Sequence, residues 1–217
     1  MYVTEHFALT REQSLAALAG VVAGDLVTVG EDGPEATFVP MLHEPGGELG
    51  ILTGHLSRVN GQWRRPGRAL FIVHGAGDFI AAEWLSRPEA PSVPTWNYLT
   101  VQVMGDLVVH PETDWCADAV RRLSAGRGDH SIDDLTAAEV DGLLRSIVGV
   151  ELRITSIVGK AKMSQNKTPA VVEQVIAGLE RSGGTATAEW MRENSLPRAR
   201  AKADLLAGIR RRTVEAD

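Results

Sequence analysis

A chain of 217 residues, 44% apolar and 23% charged, has the length of one domain, with or without a small appendage, and the composition of a globular protein rather than a disordered one. Its formal charge of −6 argues against a dedicated nucleic-acid module, which is usually basic. The single cysteine, Cys116, excludes an intrachain disulfide framework and a cysteine-rich zinc site, and fits a reducing cytoplasm.

Thr10-Arg-Glu-Gln13 has the form of a capping box and predicts a helix to about Ala23, with Leu15, Leu18 and Val22 on one face. Strands are expected at Leu26–Val29 and Ala36–Leu42 about a turn at Glu31–Pro34, then at Leu49–Thr53. Residues 54–63 read as irregular or as a short helix. Ala69–His74 and Asp78–Trp84 read as two strands about a Gly75-Ala-Gly77 turn, and the proline-rich stretch Arg87–Pro94 as a loop. A long strand follows from Tyr98 to His110, with Gly105 as a bulge or bend. Helices are expected from Asp114 to Ala125 and from the box Thr136-Ala-Ala-Glu139 to about Val148, then a strand over Val150–Val158. Thr168-Pro169 opens a helix that Gly183-Gly184 ends, and Thr187–Asn194 and Pro197–Arg212 read as two more.

Short-turned strands with helices clustered at the start, middle and end do not alternate as a doubly wound sheet does. The expected fold is a mainly antiparallel β barrel with attached helices, an α+β protein. Residues 1–182 would form the barrel domain and 183–217 a C-terminal helical appendage. No glycine-rich dinucleotide fingerprint or P-loop occurs. No apolar run reaches the ~20 residues of a membrane span, and Met1–Phe7 lacks the basic and apolar regions of a signal peptide. A cytoplasmic protein is expected.

Four stretches are polar enough to carry chemistry. Gly54-His-Leu-Ser-Arg-Val-Asn60 places an imidazole, a guanidinium and an amide close together. His55 could ligate a metal or donate a hydrogen bond, and Arg58 could pair with a phosphate or carboxylate. Equally, the stretch could be a strand end with a surface arginine and a satisfied histidine. Pro94-Thr-Trp-Asn-Tyr98 sets Trp96 and Tyr98 as an aromatic wall with polar tips, or as core at a strand entry. Lys160-Ala-Lys-Met-Ser-Gln-Asn-Lys167 could cradle an anion or be a solvated loop. Arg198–Arg212 carries six basic residues with Asp204 its one acid, the pattern of a solvated helix.

Taken in order, Met1-Tyr2 with Phe7, Gly54–Asn60 through Trp63, Val93-Pro-Thr-Trp-Asn-Tyr98, Gly149-Val-Glu151 and Gly159-Lys-Ala-Lys-Met-Ser-Gln-Asn166 resemble the PaiB family over about residues 1 to 180. Members are FMN-binding split barrels of the flavin-reductase-like type, and many carry the label of negative transcriptional regulator. The resemblance implies a homodimer with the cofactor near the subunit interface. Three features depart from the family pattern: Thr37 stands where a histidine is common, Gly61 where proline follows Asn60, and the helical tail beyond Gly184 is long. These departures resemble the piperazate synthase branch, whose members bind heme b and cyclise N5-hydroxy-L-ornithine to L-piperazate, a small amino-acid-like substrate and product.

That branch implies His55 as the axial ligand of the heme iron, which would act as a Lewis acid on the hydroxylamine oxygen. It implies Arg58 at a propionate or at the substrate carboxylate, and Lys162 or Lys160 as the base. His55, Arg58, Asn60, Trp96, Tyr98, Lys160, Ser164 and Gln165 are the expected cofactor contacts. The alternative is an FMN-binding regulator or flavin oxidoreductase, with Arg58, Lys162 and Ser164 gripping the FMN phosphate.

Overall fold

The computed structural model describes residues 1–85, 93–128 and 130–214. The elements run in the order α1 (Arg11–Ala16), β1 (Val21–Gly30), β2 (Gly33–Glu44), β3 (Ile51–Ser57), β4 (Gly67–Ile80), β5 (Thr95–His110), α2 (Thr113–Ser124), α3 (Ala137–Leu144), β6 (Ile147–Lys162), α4 (Pro169–Ser182), α5 (Thr185–Trp190) and α6 (Leu196–Val214). Short 3-10 turns cover Gly61–Arg64 and Ala82–Trp84, and a π-helical turn, Met191–Ser195, joins α5 to α6. Most of the proline-rich loop expected at 87–94 lies outside the described residues.

The six strands close into a barrel in the order β1-β2-β3-β6-β5-β4. The pairs β1/β2, β1/β4, β2/β3 and β3/β6 are antiparallel. This is the expected α+β split-barrel architecture. The chain forms two compact units, and β4, β5 and β6 contribute to both. The barrel unit comprises Thr10–His74 and Val101–Gly159. The helical unit comprises Met1–Leu9, Gly75–Thr100 and the chain from Lys160 onward. The boundary expected between residues 182 and 183 falls inside the helical unit, where α4, α5 and α6 pack together.

In the barrel unit, alternating strand positions bury Leu26, Met41, Leu52, Phe71, Val101, Val103, Val150 and Leu152 almost completely. Helices α2 and α3 form a second, smaller cluster through Cys116, Ala117 and Leu144, with Trp115, Ile132, Val140 and Ile147 packed against it, and α2 lies against β3. In the helical unit, the i, i+3, i+4, i+7 positions Val172, Val175, Ile176 and Leu179 of α4 pack with Ile80, Ala161, Met163, Ala188 and Met191.

β3 extends through Gly54–Ser57, expected as irregular or helical, α3 ends at Leu144 rather than near Val148, and the strand expected to Trp84 stops at Ile80; three further differences have a clear physical cause. The capping box at Thr10 and Gln13 is present, yet α1 stops at Ala16 and β1 begins at Val21. Val21 and Val22 pair with Leu42 and Met41 instead, so β-branched residues take ladder bonds in place of another helical turn. The turn expected at Gly75–Gly77 is absent, and β4 runs through it. A Cβ at Gly75 would sit 2.8 Å from Leu99 Cδ2, so the glycines permit close approach rather than reversal. The two tail helices are one contiguous helical run. Pro197 lacks the N–H for an ordinary helical bond, and the π turn ahead of it is closed by Leu196 N–H donating to the Met191 carbonyl.

Candidate functional site

The residues expected to carry function fall into two groups, one in each unit. His55, Arg58 and Asn60 are in the barrel unit; Trp96, Tyr98, Lys160, Lys162, Ser164 and Gln165 are in the helical unit.

His55 is a β3 residue opposite Gly149 of β6. Strand alternation buries Leu52, Gly54 and Leu56 and leaves His55 half-buried on the other face. There it lines a cavity of about 200 Å³ with Val120, Val140, Leu143, Leu144 and Ile147 of α2, α3 and β6. Burial pushes the imidazole pKa below its ordinary value, and Nδ1 is buried without a hydrogen-bond partner. The ring is thus a neutral imidazole facing apolar walls, the form that ligates a transition metal. Among the described residues no group of three His, Cys, Asp or Glu side chains could hold a metal ion. The donor chemistry would fit one imidazole contact to a heme iron. The volume is below the roughly 300–1,000 Å³ of cavities that bury a whole ligand, so these residues fit the iron's ligand rather than enclose the macrocycle.

The lowered pKa has a consequence for stability. Between the folded-state pKa and about 6.5 the unfolded chain binds more protons at this position, so stability falls as pH is lowered through that window and levels off below it. Thermal melts of the cofactor-free protein should show this loss, and the difference between wild type and His55→Gln should flatten above pH 7.

Arg58 spends two donors on its own scaffold. Nε donates to the Arg145 carbonyl at 3.0 Å and Nη2 to the Ile147 carbonyl at 2.9 Å, so it fastens the end of β3 to the start of β6 and leaves Nη1 for a ligand. Asn60 is bonded at both ends of its amide. Its Nδ2 donates to Thr37 Oγ1 at 2.9 Å, and its Oδ1 accepts from Gln62 N–H at 2.9 Å as the cap of the 3-10 turn. Thr37, a departure from the family pattern, is therefore what Asn60 holds. Asn60→Ala should cost about 1 kcal/mol in urea unfolding and leave cofactor binding unchanged.

In the helical unit, Lys162 Nζ donates to Thr95 Oγ1 and to the Trp96 carbonyl, both at 2.6 Å. Burial lowers its pKa, with Lys160 and Lys167 adding to the effect and Tyr98 opposing it. Lys160 and Lys162 lie 5.4 and 5.9 Å from the Tyr98 ring centroid, within cation–π range. Trp96 is exposed and meets Phe79 edge-on at 6.3 Å. Gln165 is a buried turn brace, accepting from Met163 N–H and donating to the Ala161 carbonyl. Ser164 Oγ lies 3.1 Å from Asn97 Nδ2 and 3.2 Å from its Oδ1.

A cavity of about 320 Å³ opens here, lined among others by Thr95, Asn97, Lys162, Ser164, Asn166 and Lys167. Sequence reasoning chose the aromatics of the Thr-Trp-Asn-Tyr stretch and missed Thr95 and Asn97 as site residues. The signal was strand alternation: Thr95 and Asn97 share one face, with Asn97 1% exposed, while Trp96 lies on the other.

A closed six-stranded barrel with attached helices is a split-barrel architecture. The chain belongs to the family described as "Putative FMN-binding domain", whose model matches residues 1–156. It is 26% identical over 188 residues to protease synthase and sporulation protein PAI 2 of Bacillus subtilis, covering 83% of this chain and 89% of that protein, in agreement with the PaiB resemblance. It is 28% identical over 176 residues to an uncharacterized protein of Aspergillus fumigatus, covering 62% of this chain and 67% of that one. Among solved structures, the flavocytochrome Anf3 of Azotobacter vinelandii superposes with a TM-score of 0.52 at 14% identity, over 74% of this chain and 72% of that one. The conserved hypothetical protein Rv2991 of Mycobacterium tuberculosis gives 0.50 at 12% identity, over 77% and 94%. These two share the fold. No helix among the described residues is long and apolar enough to cross a membrane.

Proposed function

We propose that this chain is a heme-dependent enzyme of the piperazate synthase type, closing N5-hydroxy-L-ornithine to L-piperazate. The reaction is redox-neutral: the α-nitrogen bonds to N5, the N5–O bond breaks, and water leaves. The observation that carries the reading is His55, a neutral imidazole with an orphaned buried Nδ1 against an apolar cavity. When bound, the heme iron supplies a Lewis acid that makes hydroxide a better leaving group.

The chain's own residues do the rest. His55 supplies one ligand and stays unprotonated because burial disfavours its charged form. Val120, Val140, Leu144 and Ile147 give that ligand apolar surroundings. Arg58, anchored through Nε and Nη2, keeps Nη1 for a propionate or a substrate carboxylate. Two subunits would complete the cofactor site, as the family resemblance implies.

The test is turnover. Protein reconstituted with heme and given N5-hydroxy-L-ornithine should yield L-piperazate by mass spectrometry with no added oxidant or reductant. Recovery of substrate alone would rule the proposal out. A second reading, an FMN-binding regulator or oxidoreductase, is favoured by the family description and by the lysines around Ser164. It predicts a yellow protein whose bound FMN is reduced by NAD(P)H if it is an oxidoreductase.

A further inference from the structure

The cavity of the helical unit divides its chemistry in a way the His55 reading does not use. Ile80 and Val175 form an apolar wall, and Lys162, Ser164, Asn166 and Lys167 form a polar one. No Asp or Glu is present among the described lining residues. Neither lysine forms an ion pair among the described residues. Lys162 is partly buried without a counter-charge, which is unfavourable, and a bound anion offsets that cost, with the exposed Lys167 on the same cavity adding to the attraction.

The donors are also held in place. Thr95 and the Trp96 carbonyl take two of the three Lys162 N–H groups, which leaves one. Ser164 has φ of +62°, the one non-glycine positive φ among the described residues, a conformation that persists only when its surroundings impose it. The turn is held by Lys167 N–H donating to the Ser164 carbonyl at 3.0 Å and by the Gln165 brace, while the Ser164 hydroxyl is bonded to Asn97, itself fixed from behind by Met191 Sδ of the π turn at 3.3 Å. Ser195 Oγ of the same turn donates to the Met163 carbonyl at 2.8 Å. The C-terminal helical run therefore shapes this cavity rather than merely following it.

We propose that this cavity binds the oxyanion end, carboxylate or phosphate, of a small ligand whose apolar body lies against Ile80 and Val175. Lys162 and Lys167 supply the charge, and the Ser164 hydroxyl and Asn166 amide supply direction. Its volume of about 320 Å³ suits a small metabolite or the end of a larger cofactor.

The test uses calorimetric titration of the full chain with benzoate and phenyl phosphate as the two anion probes and benzyl alcohol as the neutral control. At least one anion should bind about tenfold more tightly than the alcohol and lose affinity as salt is raised. Lys167→Ala changes an exposed residue and should weaken the anion several-fold with unchanged melting. Ser164→Gly removes the hydroxyl and should weaken the anion; relief of the positive φ and loss of the bonds to buried Asn97 act in opposite directions on melting, so affinity is its readout. A preference for benzoate assigns the site to a substrate carboxylate; a preference for phenyl phosphate assigns it to a cofactor phosphate. No binding, equal binding of alcohol and anions, or affinity unchanged in both variants would overturn the proposal. None of these readouts needs iron, so this site can fail while the His55 reading stands, and the reverse.

Discussion

On the proposed heme-enzyme function, His55→Ala is expected to give a folded protein with no heme contact at this position and no formation of L-piperazate. Loss of a residue that merely supports a metal ligand typically costs 10–100-fold in affinity or activity, so loss of the ligand itself should cost about 100-fold or more in turnover. Folding should survive. The imidazole is half-buried, and its Nδ1 has no partner to lose, so the unfolding free energy should change by no more than about 1 kcal/mol. Absorbance, turnover and thermal melting on the same preparation separate the two effects. A variant with wild-type absorbance and wild-type rate would show that another side chain holds the iron.

A large effect on stability is expected at Gly105 of β5. It is buried, and a Cβ there would sit 2.3 Å from the Arg153 carbonyl oxygen of the neighbouring strand β6. A backbone carbonyl in a closed barrel cannot swing aside as a side-chain end can. Gly105→Val should therefore destabilise the barrel by about 3 kcal/mol or more, read as a lower urea midpoint. Gly142 of α3 is the internal control, because a Cβ there would meet nothing within 4 Å. Gly142→Ala should stabilise by up to about 1 kcal/mol through helix propensity. Equal effects at the two positions would contradict the close packing of β5 on β6.

Local signals were legible in the sequence wherever short-range chemistry decides the structure. The boxes at Thr10/Gln13 and Thr136/Glu139 cap helices as expected. Pro169 opens α4, and Gly183 ends it in the left-handed conformation. What was not legible depends on partners far away in sequence. The helical period through Val22 lost to β1 pairing with β2, and Gly75 and Gly77 looked like a turn because their crowding by Leu99 and Tyr98 is a tertiary fact.

The site follows the same division. Residue type singled out His55, Arg58, Lys162 and Ser164, but only the structure shows Asn60 and Gln165 committed to bracing turns. Lys162 illustrates the limit most clearly. Burial lowers its pKa, as a base requires, while its hydroxyl and carbonyl acceptors suit an ammonium donor. Sequence carries neither fact. Asn97 escaped notice because its neighbours Trp96 and Tyr98 are the more conspicuous side chains.

The most direct test of the cofactor claim is the absorbance spectrum of protein purified from cells supplied with a heme precursor, taken before and after reduction, for wild type and His55→Ala. A Soret band that shifts on reduction in the wild type and is lost or displaced in the variant is the expected result. A flavin spectrum without a Soret band would contradict the heme assignment and leave the FMN-binding reading in its place.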